Sequence, residues 1–385
     1  MKILYDHQIF TLQYYGGISR YFCELMNQFS IDPSIDFTIA LRYSQNDNLH
    51  HFYQLDKHWS AKNTFFSNSH IFSSLQKKIH VNILNHVFDN QREAERLLKG
   101  QNYDLFHPTY YNPYFLKHLK NRPYTLTIFD MIHEIFPDFF KKDDSTRIWK
   151  KNLAENAHTI ITISSNTKND IIKYLGVNPE DIHVLYLGCS FNGSKQTEND
   201  SKIIQNEFQE NFLLFVGNRL YYKNFIFMIN SISTILKQRK GLHLICIGGG
   251  PFSDFEKKMM TKLEISDKVH YIPANDVTLR YFYENARAFI FPSLYEGFGL
   301  PVLEAFYCRC PVLLSNTSSL PEIGGDAAIY FDPHDQISLI NAVENLLSDE
   351  NLRQQLIEKG VQRMKLFSWQ KTASSTKKLY EKLIT

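Results

Sequence analysis

The stretch at residues 291–305 reads FPSLYEGFGLPVLEA and is the most informative part of the chain. A short apolar run ends at Phe291, and a loop that contains Gly297 and Gly299 follows it. Pro301 suits the first turn of a helix, because the missing N–H has no helical partner there. The stretch therefore predicts a strand, a glycine loop and a helix N-terminus, an arrangement that can bind a phosphate.

Two glutamates belong to this stretch, Glu296 in the loop and Glu304 about one turn into the helix. We expect both carboxylates to serve one ligand. A carboxylate accepts hydrogen bonds from sugar hydroxyls or, near a reacting carbon, stabilises positive charge. Taken singly, each glutamate would be an ordinary surface residue. The combination with the glycines and the proline is what favours a binding site.

Short apolar runs alternate with helical stretches on both sides of this motif, which indicates parallel sheets covered by helices. The first series of predicted strands is Lys2–Tyr5, Phe37–Leu41, Leu105–His107, Thr125–Phe129, Thr159–Ile163 and His183–Leu185. The second series is Phe212–Val216, Leu242–Ile247, Val269–Ile272, Ala288–Phe291, Val312–Ser315 and Ala328–Phe331. A polar, turn-rich stretch from Cys189 to about residue 207 separates them and is the predicted linker. We therefore expect two doubly wound α/β domains, with ligands at the carboxyl ends of their strands.

Composition excludes several classes of protein. The chain has 385 residues with 42 basic and 40 acidic side chains, so it lacks the basic excess of a nucleic-acid binder. No run approaches the roughly 20 apolar residues of a membrane span, and Asp6 ends the first apolar run, which favours a strand over a signal peptide. The cysteines form no C-x-x-C pair, so neither a disulfide framework nor a zinc site is expected, and the cytoplasm is the expected compartment.

The spacing of Glu296 and Glu304 resembles the E-x7-E signature of retaining glycosyltransferase family 4. The similarity extends to Pro292-Ser293, Ala305, Pro311-Val312, Ser318–Glu322, Ala327 and Phe331–Pro333. The resemblance implies the GT-B fold, in which two Rossmann-like domains face a central cleft. It implies an acceptor domain at residues 1–190 and a donor domain at 191–367, with a C-terminal helix at about 368–385 crossing back to the first domain.

The resemblance also implies where the nucleotide-sugar donor binds. Arg219 and Lys223 lie four residues apart after a strand end, where two cations could hold a diphosphate and neutralise it as the glycosidic bond breaks. An exposed basic turn is the alternative. The expected donor contacts are Gly16, Gly17, Gly217, Arg219, Lys223, Gly249, Glu296, Gly297, Phe298, Gly299, Leu300, Pro301 and Glu304. Arg219, Lys223 and Glu296 are also expected to act in catalysis, while a simple strand-to-helix turn is the other interpretation of Gly16-Gly17.

The acceptor side is predicted around Asp130 and His133, which are further catalytic candidates. They lie in a segment that resembles one in the family with His directly before the aspartate, but Phe129 occupies that position here. His133 could reach the ligand or be a satisfied structural histidine. His107, with Tyr114, could line an acceptor pocket or belong to the core.

We therefore expect a retaining hexosyltransferase that moves a sugar, with mannose from GDP-mannose as the leading choice, in surface polysaccharide or lipopolysaccharide assembly. The acceptor would be a hydroxyl of a saccharide or lipid-linked glycan. The alternatives are a UDP-sugar-dependent transferase or phosphorylase of the same fold, and a non-catalytic nucleotide- or sugar-binding protein. We expect no cofactor besides the nucleotide sugar and no metal, because no two aspartates are separated by one residue. Peripheral membrane contact is considered for residues 139–142 and 149–151, which otherwise fit ordinary amphipathic helices.

Overall fold

The computed structural model describes residues 1–60, 80–191 and 211–384. The chain divides into two compact units. Unit 1 comprises Met1–Ile163, Thr167–Leu187 and Trp369–Thr385, and unit 2 comprises Ser164–Asn166 and Gly188–Ser368. From residue 192 onward, the predicted linker lies outside the described residues.

All twelve predicted strands are confirmed, with bounds that differ by no more than two residues. Those of unit 1 are β1 (Lys2–Tyr5), β2 (Asp36–Ile39), β3 (Leu105–His107), β4 (Thr125–Ile128), β5 (Thr159–Thr162) and β6 (Ile182–Val184). Those of unit 2 are β7 (Phe212–Val216), β8 (His243–Ile247), β9 (Val269–Ile272), β10 (Ala288–Phe291), β11 (Val312–Ser315) and β12 (Ala328–Phe331).

Helices connect these strands in both units. Among the described residues, the first eight are α1 (Gln8–Leu12), α2 (Gly17–Phe29), α3 (Asp47–His51), α4 (His80–Gly100), α5 (Ile132–Ile135), α6 (Thr146–Asn156), α7 (Ser165–Leu175) and α8 (Phe225–Gln238). The others are α9 (Asp254–Lys262), α10 (Asp276–Asn285), α11 (Leu300–Tyr307), α12 (Leu320–Gly324), α13 (Gln336–Ser348), α14 (Glu350–Met364) and α15 (Trp369–Ile384). Short 3-10 turns lie at Tyr53–His58, Pro113–His118, Pro137–Phe139, Pro179–Asp181 and Tyr221–Lys223. Within the described ranges, no helix is both long and apolar enough to span a bilayer.

Unit 1 is built on parallel strands in the orders β2-β1-β3 and β4-β5-β6. A parallel bridge between Phe106 of β3 and Tyr124, just before β4, links the two sets. The C-terminal helix α15 belongs to this unit and packs on α2. The hydroxyl of Tyr380 on α15 lies 3.2 Å from that of Tyr5 and 2.5 Å from Nδ1 of His107. A buried polar contact therefore holds the end of the chain against the first and third strands.

Unit 2 has one parallel sheet in the order β9-β8-β7-β10-β11-β12. This is the Rossmann order, in which the chain direction across the sheet reverses between the first and fourth strands of the unit, here β7 and β10. Both strands are buried along their whole length, as expected for a sheet covered by helices on both faces. The loops after β7 and β10 consequently emerge side by side at the edge where such folds bind ligands.

Helix α8 shows why the sequence folds in this way. Its buried residues recur at helical spacing and form one apolar stripe against the sheet, namely Phe225, Met228, Ile229, Ile232, Ile235 and Leu236. The same core includes Leu213 and Phe215 of β7 and Ile290 of β10. The packing therefore fixes the strands that carry the two loops.

Candidate active site

The glycine loop after β10 leads into α11 as the sequence predicts. Gly299 precedes the helix with a φ of 110° and a ψ of 52°, a left-handed conformation that glycine adopts without strain. Helix α11 begins at Leu300 with Pro301 in its first turn, and Glu304 follows one turn later. The N–H groups of Gly299 and Leu300 donate to no acceptor among the described residues. Two backbone donors are therefore available at this helix N-terminus.

Serine hydroxyls from the turn between β11 and α12 hold this loop. The Ser318 hydroxyl oxygen accepts a hydrogen bond from the backbone N–H of Glu296 at 2.9 Å. The hydroxyl of Ser319 is fully buried and lies 2.8 Å from the carbonyl of Glu296 and 2.9 Å from that of Phe298. The backbone of Glu296 is therefore held on both sides. In the sequence these serines stand out only as part of the family resemblance, and no local pattern indicates that they hold Glu296.

Lys223 and Glu296 form an ion pair between the two neighbouring loops. Nζ of Lys223 lies 2.6 Å from Oε1 of Glu296, and 14% and 12% of the two side chains are exposed. The ammonium also lies 5.3 Å from the ring centroid of Phe291. Lys223 ends the 3-10 turn after β7, and Asn224 beyond it has a left-handed φ of 57°. Two predicted site residues thus meet at the reversal point of the sheet.

Arg219 is engaged by protein acceptors instead of facing solvent. Its Nε lies 2.6 Å from Oε1 of Glu256, and only 4% of its side chain is exposed. Nη1 donates to the carbonyl of Gly248 at 2.8 Å, and Nη2 donates to that of Gly250 at 2.7 Å. Direct binding of a diphosphate by Arg219 stays a prediction. Glu256 is not among the predicted site residues, although Ser253-x-x-Glu256 can be recognised in the sequence as a capping box.

The loop after β8 packs directly on the loop after β7. Gly248, Gly249 and Gly250 have φ values of 90°, 71° and 75°. A Cβ on Gly248 would lie 3.0 Å from the carbonyl oxygen of Gly217, and one on Gly249 would lie 3.0 Å from Cα of Asn218. Both the backbone conformation and the close approach therefore require glycine at positions 248 and 249.

Glu304 has a partner that the sequence did not indicate. The fully buried Tyr283, on α10, donates its hydroxyl to Oε2 of Glu304 at 3.2 Å. Burial, assisted by the charge of Glu304, raises the pKa of Tyr283 well above its usual value. The tyrosine is therefore a neutral donor that orients the carboxylate. Tyr281 lies on the same helix, and the sequence does not show which of the two tyrosines contacts Glu304.

In unit 1, Asp130 follows β4 and lies close to a buried lysine. Oδ1 of Asp130 accepts a hydrogen bond from the N–H of Ile132 at 3.1 Å. Lys150 is fully buried, and its Nζ donates to the carbonyl of Asp130 at 3.0 Å and to Oε2 of Glu134 at 2.9 Å. Lys150 is therefore not available to a membrane surface, while peripheral membrane contact through residues 149–151 stays a prediction.

His133 lies in the same part of unit 1. Its ring stacks on Phe140 at 3.9 Å, and its Nε2 is 3.8 Å from Oδ2 of Asp144. Burial and the nearby charge of Lys150 lower its pKa, so the ring is neutral at pH 7. Its Nδ1 has no hydrogen-bond partner within the described ranges. The catalytic roles of Asp130 and His133 stay predictions.

His107 belongs to the core, so its interpretation as an acceptor-pocket residue is wrong. The ring is fully buried, with Nδ1 bound to the hydroxyl of Tyr380 and Nε2 lying 2.9 Å from Oγ1 of Thr127. Burial lowers its pKa to about 3. Tyr114, its suggested companion, donates its hydroxyl to the buried carboxylate of Asp6 at 3.2 Å. Both side chains are committed to internal contacts.

Gly16 and Gly17 form the start of α2. The N–H of Ser19 donates to Oε1 of Gln13 at 3.3 Å, so the Gln13 side chain occupies this helix N-terminus. A Cβ on Gly16 would lie 2.5 Å from that oxygen. Gly16 therefore makes room for Gln13, and a role of either glycine in donor binding stays a prediction.

Two family models match the chain in succession. The model described as Glycosyltransferase Family 4 matches residues 68–191, and the model described as Glycosyl transferases group 1 matches residues 196–363. The second match includes the loops after β7, β8 and β10. Together the two models account for most of the sequence.

Proteins with similar sequences carry related names. The chain is 27% identical to O-antigen chain mannosyltransferase B of Escherichia coli over 306 residues, which cover 76% of this chain and 78% of that protein. It is 29% identical to O-antigen chain mannosyltransferase RfbU of Salmonella typhimurium over 234 residues, covering 58% of this chain and 61% of RfbU. A shorter match of 91 residues, 24% of this chain and 11% of its relative, is 42% identical to the E. coli serotype-specific mannosyltransferase WbdA.

Solved structures resemble the whole chain in fold. Sucrose-phosphate synthase from Thermosynechococcus elongatus superposes with a TM-score of 0.72 at 18% identity, covering 99% of this chain and 98% of that one. Anabaena HepE, solved with UDP and glucose, gives a TM-score of 0.67 at 17% identity, covering 99% and 100%. With its sheet order, its loop geometry and the two successive family matches, the chain belongs to glycosyltransferase family 4 and is a glycosyltransferase with the GT-B fold.

Proposed function

We propose that this enzyme transfers mannose from GDP-mannose, with retention of anomeric configuration, to a hydroxyl of a saccharide or lipid-linked glycan. The choice of mannose and of O-antigen-type polysaccharide assembly is supported by the names of the E. coli and Salmonella relatives. The observation that carries the chemistry is the ion pair between Lys223 and Glu296. Glu296 lies in the same loop as Gly299, and the N–H groups of Gly299 and Leu300 have no acceptor among the described residues.

The ion pair would be redistributed when the donor binds. The diphosphate brings negative charge, and Lys223 is a flexible point charge that can serve both Glu296 and a phosphate oxygen. Helix N-terminal N–H groups favour the same anion. Glu296 would then accept hydrogen bonds from hydroxyls of the transferred sugar. Since Ser318 and Ser319 hold its backbone, the carboxylate is positioned before the donor arrives.

In the proposed reaction, the bond between C1 of the sugar and the diphosphate oxygen breaks, and a bond from the acceptor oxygen to C1 forms on the same face. The acceptor proton passes to an oxygen of the departing diphosphate. The transition state has oxocarbenium character, and the nearby carboxylate of Glu296 stabilises its positive charge. Lys223 stabilises the negative charge that grows on the leaving group. No metal is required in this scheme, because Lys223 and the backbone N–H groups supply the positive charge.

A ligand screen followed by a transfer assay tests the proposal. GDP should raise the melting temperature more than UDP, ADP or CDP, because binding to the native state stabilises it. Radiolabelled mannose from GDP-mannose should then appear in a polysaccharide or lipid-linked product, and NMR of that product should show the anomeric configuration of the donor. Transfer from UDP-sugars only would refute the choice of donor. Nucleotide binding without transfer from any sugar donor would favour the non-catalytic alternative.

A further inference from the structure

Two histidines of unit 2 face each other at a distance from the candidate active site. His243 begins β8, and His270 is the second residue of β9. In the parallel register His270 lies opposite Ile245. Since side chains alternate between the two faces of a strand, His243 and His270 project from the same face of the sheet. The pair lies at the amino end of β8, and the loops that carry Lys223 and Glu296 leave the opposite edge of the sheet.

The two imidazole rings are in direct contact. Nδ1 of His243 lies 3.0 Å from Nε2 of His270. The ring centroids are 5.1 Å apart with the planes inclined at 42°, and both residues are half-buried. A hydrogen bond between two neutral imidazoles needs one N–H donor and one bare nitrogen. One of the facing nitrogens therefore already presents a lone pair, and the other does so once its proton moves to the second nitrogen of its ring.

Charged neighbours leave the ring of His243 neutral. Burial and the charge of Lys268 lower the pKa of His243, while the charge of Asp267 acts in the opposite direction. The neutral imidazole is the form that binds metal ions. Lys268 would oppose a bound dication and Asp267 would favour one, so the effects of these two charges on an ion at the pair act against each other.

The spacing of the two nitrogens suits a divalent metal ion. With metal–nitrogen bonds of roughly 2.1 Å, two ligands at right angles lie about 3.0 Å apart and two tetrahedral ligands about 3.4 Å apart. The observed 3.0 Å matches the first arrangement and is close to the second. A rotation of the half-buried rings toward solvent would turn both lone pairs to one ion. Imidazole is a preferred ligand of Zn²⁺, Ni²⁺ and Cu²⁺.

We propose that His243 and His270 form a bidentate binding site for a divalent transition-metal ion of the zinc, nickel and copper class. The ion displaces the proton between the rings, and that proton moves to the second nitrogen of its own ring. Water completes the coordination, since no group of three or more His, Cys, Asp or Glu side chains in the described parts of the chain could hold a metal. The inference goes beyond the proposed function and does not depend on it, and the ion takes no part in sugar transfer.

An ion at this place would join the edge of the sheet to its interior. Strand β9 is the last strand on its side of the sheet, and β8 is its neighbour. The ion would connect a side chain of each strand and so resist their separation. A ligand that binds the folded chain and not the unfolded one raises stability by mass action. Metal binding should therefore raise the melting temperature.

Metal titration of the full chain, prepared without a polyhistidine tag and freed of EDTA by dialysis, tests the site. ZnCl₂ and NiCl₂ should each raise the melting temperature of the wild type, and calorimetry gives the Kd. His243→Gln and His270→Gln should each weaken binding at least about tenfold, because even changes outside the ligand shell cost about 10–100-fold. His334→Gln removes an exposed histidine of the same unit and is the matched control, with the affinity of the wild type.

Electron paramagnetic resonance with one equivalent of Cu²⁺ identifies the ligands directly. The wild-type spectrum should show coupling to two imidazole nitrogens, and the spectrum of either variant should show one. Equal metal affinities in the wild type and both variants would overturn the site. A wild-type copper spectrum with fewer than two imidazoles would do so as well, even if neither variant folds. Neither outcome bears on the proposed function, because no measurement here uses a nucleotide or a sugar donor.

Discussion

Nζ of Lys223 lies 2.6 Å from Oε1 of Glu296, although 73 positions separate the two residues. The contact arises because β7 and β10 are neighbours at the reversal point of the sheet, and each residue lies in the loop after one of these strands. A backbone hydrogen bond of 2.7 Å from Leu294 to Tyr222 fixes the two loops against each other. A cation and a carboxylate are thus held together at the edge of the sheet. In the proposed function the cation would bind the diphosphate of the donor, and the carboxylate would bind the hydroxyls of its sugar.

Replacing Lys223 with alanine should reduce turnover more than it weakens folding. The lysine would stabilise charge that grows on the leaving diphosphate, so its loss should cost roughly 2–4 kcal/mol of barrier. Steady-state kinetics give kcat, and a thermal melt of the same preparation reports on folding. A kcat within a factor of about two of the wild type would show that Lys223 has no such role.

The two glutamates of the E-x7-E stretch should behave differently when each is changed to glutamine. Glu296→Gln should strongly lower kcat with nucleotide affinity largely kept, because its carboxylate is expected to meet the sugar. Glu304→Gln should mainly weaken nucleotide binding, by about 1–3 kcal/mol for a charged hydrogen bond. Calorimetry with GDP and steady-state kinetics measure both effects. Equal losses of affinity with equal kcat values would contradict this division of roles.

Transfer activity should persist in EDTA. The scheme relies on Lys223 and backbone N–H groups for positive charge, and it assigns no step to a metal. The measurement is the transfer rate of dialysed enzyme with and without excess EDTA, then with added Mg²⁺ or Mn²⁺. Complete loss of activity in EDTA that either ion restores would refute metal independence.

Lys150→Met should destabilise unit 1 by about 3–5 kcal/mol, since it leaves the carboxylate of Glu134 buried without its partner. The double variant Lys150→Met, Glu134→Gln should recover part of this loss, because no buried charge remains. Lys151→Met is the control, with 60% of the Lys151 side chain exposed and little expected effect. Urea unfolding gives the free energies. Equal costs for the single and double variants would argue against an energetically significant ion pair.

Stability should fall as the pH drops from about 6.5 toward 3, in part because of His107. Burial lowers its folded-state pKa to about 3, so over this window the unfolded state binds the proton and the folded state does not. The proton that His107 binds only in the unfolded state lowers the free energy of unfolding by about 1.4 kcal/mol per pH unit. The surrounding Tyr5, Tyr21 and Tyr380 have raised pKa values and stay neutral.

His107→Gln should therefore show a shallower pH dependence of the unfolding free energy than the wild type between pH 4 and 6.5. Other histidines with lowered pKa values, such as His7 and His133, contribute equally to the pH dependence of both proteins. The difference between the two slopes therefore reports on His107 alone. Identical slopes would mean that His107 is protonated in the folded state.

Local features of the sequence determined the elements of this protein. The continuous apolar runs of β7 and β10 required strands buried on both faces, and Gly299 with Pro301 required a turn into a helix. Strand and turn formation depend on neighbours along the chain, so the sequence is sufficient to predict them. The resemblance of the stretch at residues 291–305 to a known family indicated a glycosyltransferase. Only the tertiary structure decided which charges meet. Lys150 and Lys151 are adjacent, yet one is buried on Glu134 and the other is exposed. Likewise, Arg219 forms an ion pair with Glu256, and Lys223 forms one with Glu296. Burial and pairing of a charge depend on which side chains pack against it in space, and these are distant in the sequence.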